Sequence, residues 1–87
     1  MLDELIGEVV VVDLRGPFVC LGTLKRLDGE FLELRNADLH DLRDTQTSRE
    51  NYVAASRRSG IKRNRKRVLV VRGEMVAVSR MADVVED

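Results

Sequence analysis

The chain has little with which to staple itself or stack on a ligand. Its only cysteine, Cys20, excludes an intrachain disulfide, and its only histidine, His40, excludes a Cys/His zinc cluster. It has one proline, no tryptophan and only Phe18, Phe31 and Tyr52 as aromatics. No apolar run approaches the ~20 residues of a membrane-spanning helix, so no membrane partner is expected. The start, Met1-Leu2-Asp3-Glu4-Leu5, is acidic where a secretory signal is basic. With one free thiol, a reducing cytoplasm is the expected location. Carboxylates are scattered singly, and there is neither a glycine-rich phosphate cradle before a helix nor a metal-ligand spacing. The expectation is therefore no enzyme, no cofactor, no metal and no small-molecule substrate.

What the chain does have is charge, unevenly placed. The formal net charge of its 87 residues is zero. Residues 1–44 carry five basic and ten acidic side chains, residues 45–67 eight and one, and residues 68–87 two and four. A −5 stretch is thus followed by a +7 stretch, and a partner feels such local fields rather than the total. At this length one domain, 1–87, is expected, burying roughly 60–65% of its unfolded surface. A small aliphatic core without a staple favours oligomerisation.

The apolar pattern is that of strands. Leu2, Leu5 and Ile6 before Gly7 suit one short amphipathic helical turn. Val9-Val10-Val11-Val12 is a β-branched run, broken by Arg15-Gly16-Pro17. Phe18 to Leu27 reads as a second strand, with Cys20, Gly22 and Leu24 on one face and Val19 and Leu21 on the other. Gly22 in mid-strand signals a bend or a close backbone approach. Asp28-Gly29 is a hairpin signal, and Asp28 suits an Asx turn. The third strand runs from Glu30 to about Asn36, with Leu32 and Leu34 on one face and Glu33 and Arg35 on the other. Arg67–Arg72 and Met75–Arg80 follow as strands four and five around a sharp Gly73-Glu74 corner, where a required glycine would make Gly73→Val damaging. Five short strands with sharp turns describe a small barrel. Cys20 is expected in the core and His40 at the surface.

Residues 42–66 interrupt this rhythm. Thr47-x-x-Glu50 has the form of a capping box, Arg57 and Arg58 suit a last helical turn, and Gly60 suits its end. The expectation is a helix over about Ser48–Ser59, against an extended hairpin through Tyr52 and Val53, or a disordered loop. The cluster Arg57, Arg58, Lys62, Arg63, Arg65, Lys66 and Arg67 places seven cations in eleven residues, with Glu50 the only acid of the insertion. It is a candidate phosphate-binding arm with weak sequence preference, because no aromatic interleaves it. The alternatives are a solvated loop or a contact with an acidic neighbouring subunit.

Two segments carry a family resemblance. Gly7, Val9–Leu14, Gly16, Gly22, Leu24, Leu27 and Asp28 match the first half of the Sm motif, and Val71, Arg72, Gly73 and Val76 match the second. The chain resembles the Sm-like (LSm) ribonucleoprotein-core family over about residues 2–41 and 67–80, and the basic insertion falls where that family varies in length. The resemblance implies an all-β fold: a small, strongly bent, five-stranded antiparallel Sm-like (SH3-like) barrel, with a short N-terminal helical turn and the basic insertion between strands 3 and 4.

It further implies subunits pairing edge to edge, fourth strand to a neighbour's fifth, in a homo-oligomeric ring of about five to seven copies. RNA is the implied partner. The positions equivalent to the family's uridine pocket are Glu30, Leu32 and Arg72 beside Gly73. Only the arginine keeps its chemistry, since Leu32 cannot read a base edge and Glu30 repels phosphate, so the pocket reads as degraded. Two rivals follow: an Sm-like ring without RNA binding, and an adaptor barrel of the PRC type, whose opening Leu5-Ile6-Gly7-x-x-Val also fits.

Overall fold

The computed structural model describes residues 1–86. Five antiparallel strands form one bent sheet: β1 (Val9–Leu14), β2 (Phe18–Leu27), β3 (Phe31–Asp41), β4 (Arg65–Val71) and β5 (Met75–Arg80), in the spatial order β4-β3-β2-β1-β5. A 3-10 turn over Leu2–Leu5 precedes β1, and a helix, α1 (Arg49–Ser59), lies between β3 and β4. The expected all-β barrel architecture, N-terminal turn and helical insertion are all present.

The strand pattern fills both faces of the sheet. On one, Val10, Val12, Cys20, Leu24, Leu32, Leu34, Ala37 and Val70 form the main core. On the other, Val11, Val19 and Leu21 pack with Val53 of α1 and with Met81. A continuous valine run such as Val9–Val12 is what a strand covered on both sides requires. Full burial of each such aliphatic side chain contributes roughly 1.5–3 kcal/mol. Thus α1 is a lid on the back of β1 and β2 rather than a loose excursion.

The bends have local causes. Leu21 pairs with Asp38 and Thr23 with Arg35, so Gly22 alone stands opposite Asn36 and Ala37, a β-bulge. A Cβ at Gly22 would lie 3.0 Å from the Ala37 Cβ and 3.1 Å from the Arg35 carbonyl oxygen, the close approach its position suggested. Asn36 takes the left-handed conformation, φ 51°, which asparagine tolerates better than most residues. The strand does not end at Asn36 as the alternation suggested: it steps over the bulge and continues to Asp41.

The helix starts one residue later than the capping-box reading placed it. Ser48 is the N-cap, its Oγ accepting the Asn51 N–H at 3.1 Å, so Thr47 and Glu50 do not form the expected box. Gly60 closes the helix with φ 96° and donates its N–H to the Ser56 carbonyl at 2.8 Å. Neither the extended hairpin nor the disordered loop is what forms.

Candidate nucleic-acid interface

The pocket-equivalent residues divide between core and corner. Leu32 is completely buried in the main core, so its side chain faces no ligand. Glu30 is exposed at the β2–β3 turn. Arg72 follows β4 directly. Its backbone N–H donates to the Glu30 carbonyl at 2.8 Å, and its guanidinium donates to the Asp28 carbonyl. The turn itself is an Asx turn, as expected: the Asp28 Oδ1 accepts the N–H groups of Glu30 and Phe31, both at 2.8 Å. Those two N–H donors hold the Asp28 carboxyl below its ordinary range. Arg72, Asp28 and Glu30 are therefore brought together, with the arginine tying the β4–β5 corner to the β2–β3 turn.

Gly73 corrects the expectation of a required corner glycine. Its φ lies outside the left-handed region, and a Cβ there would meet nothing within 4 Å.

The basic insertion is ordered by contacts with the acidic first half of its own chain. Arg49 reaches the Asp13 carboxylate at 3.3 Å and the Gly16 carbonyl at 3.0 Å. Tyr52 donates its hydroxyl to Asp38. His40 stacks on Tyr52, with ring centroids 3.9 Å apart and planes 8° from parallel. His40 is therefore half-buried between helix and sheet, not the surface residue expected from its place in the sequence.

Asn64 fastens the exit of the insertion. Its N–H donates to the Ala37 carbonyl at 2.9 Å, its Oδ1 accepts the Leu39 N–H at 3.0 Å, and its Nδ2 donates to Asp38 at 3.2 Å and to the Leu39 carbonyl at 3.0 Å. The chain between Arg63 and Arg65 is thus held to β3 like a short extra strand.

The seven candidate cations separate into three kinds. Arg57 and Arg58 both pair with Glu86, Arg57 at 3.7 Å, an acid outside the insertion that sequence position did not connect to them. Arg67 lies 3.2 Å from Glu33. Lys62, Arg63, Arg65 and Lys66 form no ion pair among the described residues. Three of these four line an open hollow of about 600 Å³, together with Arg35, Asn36 and Asn64. No carboxylate lines it. Arg35, Asn36 and Asn64 were not among the sequence candidates; the cross-strand pairing of Arg35 with Arg67 brings the first of them alongside the basic run.

Glu33 sits beside this hollow. Its side chain is only 2% exposed, and its two oxygens accept Arg26 Nε at 2.6 Å, Arg35 Nε at 2.6 Å and Arg67 Nη2 at 3.5 Å. The hydrogen bonds from Arg35 and Arg67, and then that from Arg26, hold its carboxyl down to about 2. Cys20 is buried in the core as expected, and burial pushes its thiol up to about 12. No group of three or more metal-ligating side chains occurs among the described residues. No helix among them is long and apolar enough to cross a membrane.

The fold has known counterparts. An Sm protein of Pyrococcus abyssii, solved in complex with a uridine heptamer, superposes with a TM-score of 0.62 over 90% of this chain and 89% of that one, at 15% identity. The chain has an Sm-like fold. An Sm-like protein of Archaeoglobus fulgidus matches equally well, with a TM-score of 0.62 and 16% identity over 92% of this chain and 88% of the other. No protein-family model matches the sequence, and no curated protein matches it significantly. At such identities the likeness concerns the Sm-like backbone, while side-chain chemistry must be read from this chain's own residues.

Proposed function

We propose that this chain is a ring-forming, RNA-associated Sm-like scaffold that grips RNA through its basic insertion rather than through the family's uridine pocket. The observation that carries the reading is the carboxylate-free hollow lined by Arg35, Arg63, Arg65 and Lys66, held in place by Asn64. Four cations and two amides suit phosphate oxygens, and the absence of an aromatic lining predicts weak sequence preference. At the pocket-equivalent positions, Leu32 is consumed by the core and Arg72 by the Asp28 turn, which supports a degraded uridine site.

Assembly follows from the sheet order. β4 and β5 are its two edges, and each leaves a row of backbone donors and acceptors unpaired. Leu69 and Val71 on β4 and Val76 on β5 are exposed apolar side chains on those edges. Pairing β4 of one copy with β5 of the next covers both hazards, and repetition closes a homo-oligomeric ring. Nothing in this arrangement calls for catalysis, and the buried thiol suits a reducing cytoplasm.

Two measurements test the reading. Light scattering on nuclease-treated protein should give a mass of about five to seven times the 9.9 kDa chain; a monomer would overturn the ring. Neutralising Arg63, Arg65 and Lys66 to Gln should weaken RNA binding similarly for all sequences and flatten its salt dependence. If the triple variant binds RNA as the parent does, the insertion is not the RNA arm.

A further inference from the structure

We propose that Arg26, Arg35 and Arg67, gathered around Glu33 on the outer face of β2, β3 and β4, form a second, preorganised contact for the RNA backbone, continuous with the basic hollow. The proposal rests on the RNA-binding reading above and extends it from the insertion to the sheet.

The geometry differs from that of an ordinary surface ion pair. One buried carboxylate serves three guanidiniums: Arg26 and Arg35 donate through Nε, each at 2.6 Å, and Arg67 donates through Nη2 at 3.5 Å. The arginine side chains remain 72%, 46% and 48% exposed for Arg26, Arg35 and Arg67, against 2% for Glu33. The Nη groups of Arg26 and Arg35 have no acceptor among the described residues, so the outward edges of two planar forks are free. Glu33 thus fixes Arg26 and Arg35 from beneath without using the donors that reach outward. An isolated arginine must give up rotamer freedom on binding phosphate; these have already done so, which lowers the cost of association.

The arrangement also gathers more positive charge than its own acid balances. Arg35 and Arg67 are direct cross-strand partners, a like-charge pair that destabilises a sheet. Glu33 offsets only one of the three charges, leaving the cluster at +2.

The cluster joins the hollow rather than standing apart. Arg26, Glu33 and Arg67 line a second open hollow of about 420 Å³, whose only other carboxylate, Asp28, is engaged by its own turn. Arg35 bonds to Glu33 on this side and lines the basic hollow on the other. The result is a cationic track of Arg26, Arg67, Arg35, Lys66, Arg65 and Arg63. Planar guanidiniums offering bidentate edges match phosphodiester oxygens. Leu27, Phe31 and Leu69 complete the lining of the second hollow, but the cations of the track continue into the carboxylate-free hollow, and such a continuous row of charge suits a phosphodiester backbone better than a compact acidic patch.

The test is fluorescence anisotropy of a labelled decauridine titrated with the intact protein at several salt concentrations. Arg26→Gln with Arg35→Gln should lose about tenfold in affinity and lower the salt slope by about 1.4, the amount expected for two single-strand phosphate contacts. Glu33→Gln makes the protein more positive, so simple charge counting expects tighter binding; loss of preorganisation predicts binding weaker by about threefold. Circular dichroism melts establish that each variant is folded, and if Glu33→Gln unfolds, the double arginine variant decides.

A parent protein that binds no RNA overturns the RNA reading as a whole. If the parent binds but the double variant stays within about twofold of it, the arginine track is overturned while the insertion reading stands. Tighter binding by folded Glu33→Gln overturns the preorganisation. Polyglutamate binding as tightly as decauridine would assign the track to an acidic protein and overturn the proposal.

Discussion

Tyr52 of α1 donates its hydroxyl to Asp38, a β3 carboxylate that is only 2% exposed. The pair locks the inserted helix onto the back of the sheet. Burial, and then the Asp38 carboxylate that holds its proton, push the phenol above its ordinary range, so Tyr52 remains a donor at any working pH. Asn64 supplies the other oxygen of Asp38 with a bond of 3.2 Å, so helix and basic arm meet on one carboxylate.

Tyr52→Phe keeps the ring stacked on His40 and removes only the hydroxyl. It leaves a buried acceptor short of a partner, at a cost of about 1–3 kcal/mol. For a domain of this size that lowers the melting temperature by roughly 4–8 °C per kcal/mol. Hydrogen exchange should quicken across residues 49–59 more than in β1. An unchanged melt would mean that Asn64 alone satisfies Asp38.

Two glycines give a paired test of backbone space. Gly22→Val drives a branched side chain into Ala37, where even a Cβ would be 3.0 Å away, and overpacking of that kind costs about 1–3 kcal/mol. Gly73→Val meets nothing within 4 Å and needs no left-handed φ, so urea unfolding of this variant should stay within about 0.5 kcal/mol of the parent. Equal damage from both would overturn the distinction.

The contrast between these glycines shows what the sequence could convey. Strand positions carried by local pattern were readable: the valine run of β1, the alternation of β2, the Asx turn at Asp28 and the last strand, Met75–Arg80, agree with the structure. Features set by distant partners were not. Asn36 looked like a strand end because nothing local announces that Gly22, on another strand, will accept a bulge opposite it. Glu33 alternated correctly onto the outer face, but its burial depends on arginines that three strands bring together. The basic cluster was visible as composition. Which of its members are already paired depended on Glu86, 28 residues from Arg58.

Cys20 offers a chemical probe of the core. It is fully buried between β1 and β3, and burial raises its thiol to about 12. Thiolate is the reacting species, so the native protein should be inert to a disulfide-exchange reagent at pH 8 and should react only as the chain opens. Reaction should therefore follow the unfolding transition in urea. Prompt stoichiometric labelling of the native protein would contradict the core packing of β2.

The pH dependence of stability isolates Glu33. Its carboxyl is held at about 2 in the folded state against an ordinary value of 4.5. Because the folded value is the lower one, the stabilisation is fully present above about pH 4.5 and is lost as pH falls toward 2, where protonation breaks the bonds to Arg35, Arg67 and Arg26. Across that window the unfolded chain binds the proton first, so stability drops with acid in proportion to the difference in bound protons. Asp41, ordinarily at 3.8 and held at about 2 by the largely exposed Arg43, adds a smaller contribution from a separate site on the same strand. Glu33→Gln should therefore remove about one proton from the slope of unfolding free energy against pH between 4.5 and 2, and Asp41→Asn should independently reduce it over the narrower range between 3.8 and 2. If Glu33→Gln leaves that slope unchanged, the three arginines do not hold the carboxylate in solution, and the track on the outer face of the sheet loses its organising centre.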